Sequence, residues 1–373
     1  MSVRRIALAA AACVALGACS SDAPKPTPLV QFKPKATVRV VWRASIGSAE
    51  RYLFRPAVSA GAVFAASNGG DLARFDLATG RQVWRVNVGA PLSGGVGIGA
   101  GSILVGGAKG EAFAYDIDGK PLWRTQVSST VLSAPAGQEE VVVVRSGDGK
   151  VFGLDAKDGA RKWEYQAATP PLTLRAAPGM VIEGNAVVAG FPGGKLATLN
   201  LQTGAVLWEM SVATPKGENE LERIADIAGT PLVESDRVCA VTFQGRIGCF
   251  ETQRGSQVWA RAASSAGSPS ADGTTLYYTE ATGAVIALDK TSGASIWKQE
   301  KLLQRGVSSP LAFQGYVVVG DFEGYVHVLS REDGSFLARI ATDGGPIMSQ
   351  PVAADDKVLI QTRTGHVYAL SIR

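Results

Sequence analysis

Apolar and polar residues alternate in short runs along most of the chain, from Thr37 to the C-terminus. Alternation with a period of two places apolar side chains on one face of an extended segment and therefore predicts half-buried β-strands. Clusters of Gly, Asp, Asn and Ser separate the runs and predict tight turns. No stretch has a helical period long enough to compete, so the pattern predicts an all-β protein built from antiparallel meanders.

The strand pattern repeats about every forty residues, and each repeat carries the same markers. A turn glycine precedes an apolar strand, an Asp-x-x-x-Gly turn follows, and a Trp ends the motif, as in "GKVFGLDAKDGARKW" ending at Trp163. The turn glycines are Gly70, Gly110, Gly149, Gly194, Gly245, Gly283, Gly324 and Gly365. Four strands in a repeat of this length are typical of β-propeller blades. The eight glycines predict an eight-bladed β-propeller of four-stranded antiparallel blades over residues 37–373.

The last repeat is incomplete, and the first predicted strand completes it. After Gly365 the chain reads "HVYALSIR", which provides a third strand but no Trp-bearing fourth strand. The stretch "TVRVVW", ending at Trp42, supplies an isolated strand at the other end of the chain. We expect residues 37–43 to pair with the C-terminal blade, because this pairing closes the ring and removes open sheet edges. All seven Trp residues then occupy equivalent structural positions, and Ala338 occupies the eighth.

The N-terminus has the features of an export signal. Arg4 and Arg5 precede the apolar run "IALAAAACVALGAC", which is too short to span a bilayer as a mature helix. The run ends in "LGAC", which resembles the lipobox of bacterial lipoproteins. This resemblance implies removal of residues 1–18 and acylation of Cys19; a secretory signal without lipidation is the alternative. Residues 19–36 are rich in Pro, Ser and Lys, so we expect a flexible tether between lipid and domain. Because Ser, and not Asp, follows the Cys, the signal favours the outer membrane, with the domain facing the periplasm.

Charge and motif content limit the possible functions. Loss of residues 1–18 removes two Arg and no acid, so the formal charge falls from +4 to +2 and gives no electrostatic reason to expect a nucleic-acid partner. No P-loop, G-x-S-x-G elbow or C-x-x-C-H haem motif is present. His327 and His366 lie in third strands of different repeats, without a Cys or acidic residue at metal-ligand spacing. We interpret both as structural and expect no catalytic, cofactor-binding or metal-binding residues.

Cys239 and Cys249 flank a predicted hairpin turn with the sequence "FQG". If the turn is a three-residue loop with Gly245 in the left-handed bulge position, residues 242 and 246 pair, and the two Cys residues face each other. Opposed thiols in an oxidising compartment would form a cross-strand disulfide. A pair of inert, buried thiols is the alternative.

Two connections between repeats are longer than the others. The gap from the Trp position to the following Pro is usually 10 to 14 residues, but it is 15 from Trp163 to Pro178 and 23 from Trp208 to Pro231. In a propeller these connections share a rim with the turns that hold the glycine series. The extra length therefore falls on one rim of a rigid scaffold, where recognition is normally placed.

The repeat resembles two families with different activities. The motif "ALDKTSGASIW" is similar to the repeat of pyrroloquinoline-quinone dehydrogenases, which bind the quinone and Ca²⁺ beside a catalytic carboxylate. The adjacent Cys pair of the large members is absent here, and eight blades leave no extra domain to cover a cofactor. A quinone-dependent periplasmic dehydrogenase is therefore the enzymatic alternative, and a propeller that binds sugar or peptidoglycan is another alternative.

The second resemblance covers nearly the whole chain. The lipobox, the eight repeats and the segments "PPLTLRAAPG", "ELERIADIAGTPLV" and "VVVGDFEGYVHVL" resemble the BamB family of outer-membrane assembly lipoproteins. The resemblance implies a non-catalytic subunit of the machinery that folds and inserts outer-membrane β-barrel proteins. Its implied partners are the POTRA domains of the barrel-forming subunit BamA, other assembly lipoproteins and possible unfolded clients.

The same resemblance implies a partner-binding surface on the two long connections. Leu172, Leu174 and Arg175 in the first connection match residues that meet the POTRA domains, and Asp226 in the second should form part of this surface. Two Leu residues beside an Arg are a typical interface anchor. Ala228 stands where the family often has a second Asp, which departs from the pattern. As alternatives, both Leu residues fold over the blade edge, and "KGENELERIAD" is a solvated charged loop.

Overall fold

A computed structural model describes residues 24–176 and 178–373. The predicted signal, residues 1–18, and the predicted lipidation site Cys19 lie outside the described residues. Strand β1 (Val38–Ser45) comes first in the chain, and 31 further strands follow it. The described helical structure is a single 3₁₀ turn, Pro192–Gly194. Among these residues no helix is long and apolar enough to cross a membrane.

The strands fall into eight units of four, numbered here in chain order. Units 1 to 4 contain, in turn, β2 (Ala57–Ser59), β3 (Ala62–Ala66), β4 (Asp71–Asp76) and β5 (Gln82–Asn87); β6 (Leu92–Gly99), β7 (Ser102–Gly107), β8 (Glu111–Tyr115) and β9 (Pro121–Gln126); β10 (Ala136–Gln138), β11 (Val141–Arg145), β12 (Lys150–Asp155) and β13 (Arg161–Gln166); β14 (Met180–Glu183), β15 (Ala186–Gly190), β16 (Lys195–Asn200) and β17 (Val206–Ser211).

Units 5 to 8 follow the same order. They contain β18 (Leu232–Val233), β19 (Arg237–Val241), β20 (Gly245–Glu251) and β21 (Gln257–Ala263); β22 (Ser270–Ala271), β23 (Thr275–Thr279), β24 (Val285–Asp289) and β25 (Ser295–Gln299); β26 (Leu311–Phe313), β27 (Tyr316–Gly320), β28 (Tyr325–Ser330) and β29 (Phe336–Ala341); β30 (Val352–Ala354), β31 (Lys357–Gln361), β32 (His366–Ile372) and β1.

Each unit is an antiparallel meander, as the alternation predicts. Six units are separate four-stranded sheets, whereas units 2 and 3 form one eight-stranded sheet through a single parallel pair, Gly99 and Gly137. The predicted pairing of the two chain ends is also present, because β1 lies antiparallel to β32 from Val38 opposite Ile372 to Ser45 opposite His366. The observed strand is slightly longer than the predicted residues 37–43.

Burial changes regularly from the first to the fourth strand of a unit. The second strands are almost entirely buried, as in the Val-rich β11, because neighbouring units cover both of their faces. The fourth strands alternate between exposed and half-buried residues, as in β5, because one face meets solvent. Eight apolar clusters connect successive units, and one of them joins unit 8 to unit 1 through Trp42, Val63 and Leu359.

The Trp residues of the fourth strands pack on a glycine in the next unit. A Cβ added to Gly204, which has φ +70°, would lie 2.6 Å from the Trp163 ring. The Trp163 Nε1 also donates a hydrogen bond to the carbonyl of Leu201 in the same turn, at 2.9 Å. The other Trp–Gly pairs are Trp42–Gly80, Trp84–Gly119, Trp123–Gly159, Trp208–Gly255, Trp259–Gly293 and Trp297–Gly334. Each Trp therefore docks one unit on the next, as its structural position predicts.

The eighth position differs because the chain ends there. Ala338 is 2% exposed, and the corresponding turn of unit 8 would fall between β32 and β1, where the chain is not continuous. The N-terminal segment covers this region: Phe32 stacks on Phe336 with ring centroids 5.4 Å apart, and the amide of Lys35 donates to Leu337. The prediction of a flexible tether over residues 19–36 is therefore wrong for residues 27–36, which pack against unit 7.

Candidate functional site

The connections between units and the turns between second and third strands lie on one rim, as predicted. They are joined by backbone hydrogen bonds, for example from Val88 to the carbonyl of Gly70 and from Val212 to that of Gly194, both 2.8 Å. We call this side the recognition rim. Both long connections, residues 167–179 and 212–231, lie on it and contact each other.

Asp226 joins the two long connections. One carboxylate oxygen accepts the backbone amide of Leu174 at 2.6 Å, and the other accepts that of Gly193 at 2.8 Å. Gly193 and Gly194 have φ of +71° and +74°, a conformation that glycine adopts without strain and that turns the Gly193 amide toward the carboxylate. The segment that carries the predicted anchor residues is thus bonded to a side chain in the neighbouring connection. We call Asp226 and its hydrogen bonds to the amides of Leu174 and Gly193 the clamp.

Arg145 lies near the clamp and supplies a compensating charge. Its side chain is buried, donates to the carbonyl of Gly190 and stacks over the ring of Phe191 at 4.7 Å. Burial lowers the pKa of Arg145 to about 10, while the negative charge of Asp226 acts in the opposite direction. The guanidinium therefore stays charged at neutral pH.

The position of Asp226 differs from the prediction that it forms part of an exposed partner-binding surface. Its side chain is only 3% exposed and both oxygens are occupied by backbone amides, so it cannot present a carboxylate to a partner. Burial of an acid is acceptable here because two hydrogen bonds and a nearby guanidinium stabilise its charge. Asp226 instead positions the segment that contains Leu174.

Leu174 and Arg175 line an open groove, which we call the recognition groove. Its volume is about 500 Å³, and Tyr52, Leu53 and Leu132 from other units complete its apolar wall. Arg175 is exposed, and it has no ion-pair partner within 4.0 Å in residues 24–176 and 178–373. The groove therefore combines apolar surface with an available positive charge.

Leu172 lies on the same segment but outside the groove wall. It is 39% exposed, so it does not fold away completely over the edge of the unit. Leu53, on the opposite side of the groove, is 46% exposed. Exposed large apolar side chains beside an unpaired cation are typical of a protein-binding surface.

The groove opens into a central cavity at the same rim. Residues from seven of the connections, together with Gly95 of β6, line this cavity, whose volume is about 320 Å³, and Ala228 belongs to the wall of both spaces. Ala228 is 5% exposed, so an Asp at this position would bring an acid to the edge of the cavity. Ala228 therefore contributes a small apolar side chain to the wall of the groove.

Residues 214–223 form an exposed loop beside the clamp. Glu222 accepts the amide of Glu218, Asn219 accepts that of Glu222, and Arg223 donates to the carbonyl of Gly217. These bonds are local, as expected for the solvated charged loop proposed as an alternative. Leu221, at 67% exposure, is the exception in this polar segment.

The predicted cysteine pair lies in unit 5, away from the groove wall. Cys239 faces Cys249 in the β19–β20 ladder, and a disulfide joins them. The detail of the turn differs from the prediction: Gln244, with φ +50°, is the left-handed residue, and Gly245 is the first residue of β20. The register is unaffected, because the amide of Thr242 still bonds to the carbonyl of Arg246.

The two His residues have acidic neighbours that sequence spacing did not reveal. His327 is fully buried, with Nε2 3.0 Å from Asp321 and Nδ1 accepting from Arg339 Nε at 3.1 Å. His366 bonds through Nδ1 to Asp343. Within the described part of the chain, no three His, Cys, Asp or Glu side chains form a group that could hold a metal ion.

The fold and the groove define a class of protein, a β-propeller repeat protein with an apolar groove and an exposed Arg on one rim. The family model described as outer membrane protein assembly factor BamB matches residues 68–299. The BamB of Burkholderia pseudomallei is 42% identical over 368 residues, which cover 98% of this chain and 97% of the relative. For the BamB of Escherichia coli the identity is 30%, over 94% of this chain and 93% of the relative. The chain therefore belongs to the outer membrane protein assembly factor BamB family.

Solved structures show the same fold. The crystal structure of BamB from Moraxella catarrhalis matches 90% of this chain and all of that chain, with a TM-score of 0.84 and 24% identity. A quinohemoprotein alcohol dehydrogenase from Comamonas testosteroni matches 89% of this chain and 76% of its own, with a TM-score of 0.71 and 12% identity. The dehydrogenase likeness shows a shared propeller architecture, whereas sequence similarity connects the chain to the assembly factors.

Proposed function

We propose that this chain serves outer-membrane protein assembly, the role for which its relatives are named, as a non-catalytic scaffold. Its recognition groove would bind the POTRA domains of a BamA-like barrel subunit. The observation that carries the proposal is the geometry of Leu174 and Arg175, which are held at the open rim by the buried carboxylate of Asp226. An apolar anchor beside an exposed cation suits a folded partner with an apolar patch and an acidic neighbour.

The scaffold is an eight-bladed ring closed by the pairing of its ends. Two observations support this architecture: β1 completes the sheet of unit 8, and an apolar cluster joins unit 8 to unit 1. A closed ring leaves only short, protected edges and holds the rim residues at fixed distances. Such rigidity is what a positional role requires, because binding then costs little conformational entropy.

The chain works at the outer membrane, facing the periplasm, with lipid attached at Cys19. The disulfide between Cys239 and Cys249 agrees with an oxidising compartment. In this setting the propeller positions flexible POTRA domains and, with other assembly lipoproteins, arranges nascent strands for insertion. No bond is made or broken by the propeller itself.

Affinity purification of the lipidated protein from membranes tests the proposal. We expect a BamA-like subunit to co-purify with the wild-type chain and to be lost from Arg175→Glu, because the charge reversal opposes an acidic partner. Arg254→Glu is the matched control: Arg254 is exposed in the turn between β20 and β21, on the opposite rim. Equal recovery with both variants would show that the groove is not the binding site, and recovery without any barrel subunit would contradict the proposed role.

Added quinone and Ca²⁺ with a dye acceptor test the enzymatic alternative. A scaffold neither binds the quinone nor reduces the dye. Turnover dependent on the quinone would overturn the non-catalytic assignment, whatever the outcome of the purification.

A further inference from the structure

The segment from Thr27 to Ala36 is attached to unit 7 along its whole length. At its start, the amide and hydroxyl of Thr27 both donate to the carbonyl of Leu303, at 3.0 and 2.6 Å. At its end, the amides of Lys35 and Ala36 donate to the carbonyl of Leu337, at 2.8 and 3.1 Å. We call residues 27–36 the strap.

Two arginines bind the backbone of the strap between these ends. Arg305 donates to the carbonyl of Thr27 at 3.1 Å, and Arg339 donates to the carbonyl of Val30 at 3.0 Å. The guanidinium of Arg339 also lies beside the stacked pair of rings, 5.1 Å from the centroid of Phe32 and 5.3 Å from that of Phe336. The strap is thus bound by charge-assisted hydrogen bonds and by an aromatic anchor.

Side chains of unit 7 hold both arginines in place independently of the strap. Arg305 is 3% exposed and its Nε donates to Asp321 at 2.9 Å. The same carboxylate bonds to His327, whose other ring nitrogen accepts from Arg339. Asp321, which is buried, and His327, which is neutral, therefore orient both arginines toward the strap. Unit 7 thus provides a preorganised binding site for this segment.

The strap runs from one rim of the propeller toward the other. Leu303 and Arg305 belong to the connection between units 6 and 7, where Gln304 bonds to the carbonyl of Thr282 on the recognition rim. Leu337 is the second residue of β29 and lies near the opposite rim. The strap therefore begins at the recognition rim and runs down the outer strand of unit 7.

We propose that the strap fixes the point where the lipid-bearing segment leaves the propeller. Because this point lies beside unit 7 on the recognition rim, that rim faces the lipid surface. This inference rests on the proposed acylation of Cys19. Seven residues lie between Cys19 and Thr27, and the eight Cα-to-Cα steps from Cys19 to Thr27 can span at most about 29 Å when fully extended. Leu174 and Arg175 lie between units 3 and 4, three connections away on the same rim, and remain available to a protein partner.

Energy transfer to a lipid acceptor tests the orientation. Single dyes are attached, without reduction of the disulfide, to Lys301→Cys on the recognition rim or to Glu332→Cys on the opposite rim of the same sector. The full mature chain is then bound to phosphatidylethanolamine–phosphatidylglycerol vesicles that carry a headgroup acceptor. We expect stronger transfer at position 301, because the six residues of β29 separate the two rims by about 20 Å.

Two matched replacements isolate the strap. Replacement of residues 27–34 by Gly and Ser should remove the difference between the two dyes, whereas the same replacement of residues 20–26 should preserve it. Equal transfer at both positions in the wild type, or a difference that survives loss of residues 27–34, would overturn the inference. Hydrogen exchange provides a second readout: the amides of Lys35 and Ala36 should exchange about tenfold faster or more when residues 27–34 are replaced.

These measurements separate failure of the inference from failure of the proposed function. Absence of transfer at both positions, together with no lipid mass on Cys19, would overturn the anchoring and with it the orientation. Co-purification of the barrel subunit through Arg175 would be unaffected by that outcome. Conversely, loss of the co-purification result would leave the difference between positions 301 and 332 intact.

Discussion

The carboxylate of Asp226 accepts the amide of Leu174 at 2.6 Å, although 52 residues separate them in the chain. This bond fixes an exposed segment through a buried charge. A loop that is ordered before its partner arrives loses less conformational entropy on binding. In the proposed binding mode, the residue that orders the groove is therefore one that a partner cannot touch.

Asp226→Ala should destabilise the fold and weaken partner binding together. It leaves the amides of Leu174 and Gly193 without their acceptor and removes a charge that compensates the buried Arg145, at a cost of about 2–4 kcal/mol in the free energy of unfolding. Urea unfolding measures the first effect and co-purification of the barrel subunit the second. Asp236→Ala is the control, because the side chain of Asp236 is 74% exposed and its removal should change stability little. Unchanged partner recovery with Asp226→Ala would show that the clamp does not order the groove.

The repetitive part of this fold could be predicted from the sequence, because the same local rules act eight times. Period-two alternation, turn glycines and Trp positions identify strands, and the strand missing from the last repeat predicts its partner at residues 37–43. Contacts that occur once could not be found in this way. Arg305 reaches Thr27 across 278 residues, and no periodic pattern marks either residue.

The placement of the two long connections was predictable for the same reason. The excess length of two connections indicates the rim, and their proximity follows from the order of the units. The burial of Asp226 was not predictable, because an acid in a polar loop normally faces solvent. The amides of Leu174 and Gly193 and the buried Arg145 make its position favourable.

Substitution of Gly204, which packs on Trp163, should separate the cost of backbone strain from the cost of lost packing in the free energy of unfolding. Gly204→Ala forces a Cβ into the ring of Trp163 and also into a φ of +70°, so we expect a loss of about 2–4 kcal/mol in the free energy of unfolding. Gly61→Ala has nearly the same φ, +72°, but no atom within 4 Å, and should lose only about 1–2 kcal/mol. Chemical denaturation of the two variants gives the difference, which measures the packing. Equal losses would mean that the Trp–Gly contact does not restrict the site.

Stability should fall as pH decreases below the ordinary pKa of histidine, about 6.5. Burial lowers the pKa of His327, and Asp321 only partly opposes this effect while Arg339 and Arg305 add to it. The unfolded chain then binds a proton that the folded chain does not, so unfolding becomes easier by up to about 1.4 kcal/mol per pH unit until the folded pKa is reached. Unfolding free energies measured between pH 7.5 and 5 should show this slope. His327→Gln should flatten this slope; a slope that persists in His327→Gln would assign it to another group.

The disulfide of unit 5 should contribute to stability without contributing to recognition. Cys239 and Cys249 are 10 residues apart and almost fully buried, at 1% and 0% exposure, in the β19–β20 hairpin. Closure of a loop of this length restricts the unfolded chain by about 2–3 kcal/mol. The Cys239→Ala, Cys249→Ala double variant should therefore unfold at a lower urea concentration than the wild type, while it co-purifies the barrel subunit as before.

Thiol counting decides whether this stabilisation comes from the covalent bond. The unfolded, non-reduced mature protein should show no free thiol at these two positions, and the reduced protein should show two. If two thiols react without reduction, the pair consists of buried cysteines, and the double variant should then lose only the packing of two small side chains. The salt dependence of partner binding should be the same in both cases, since neither sulfur lines the recognition groove.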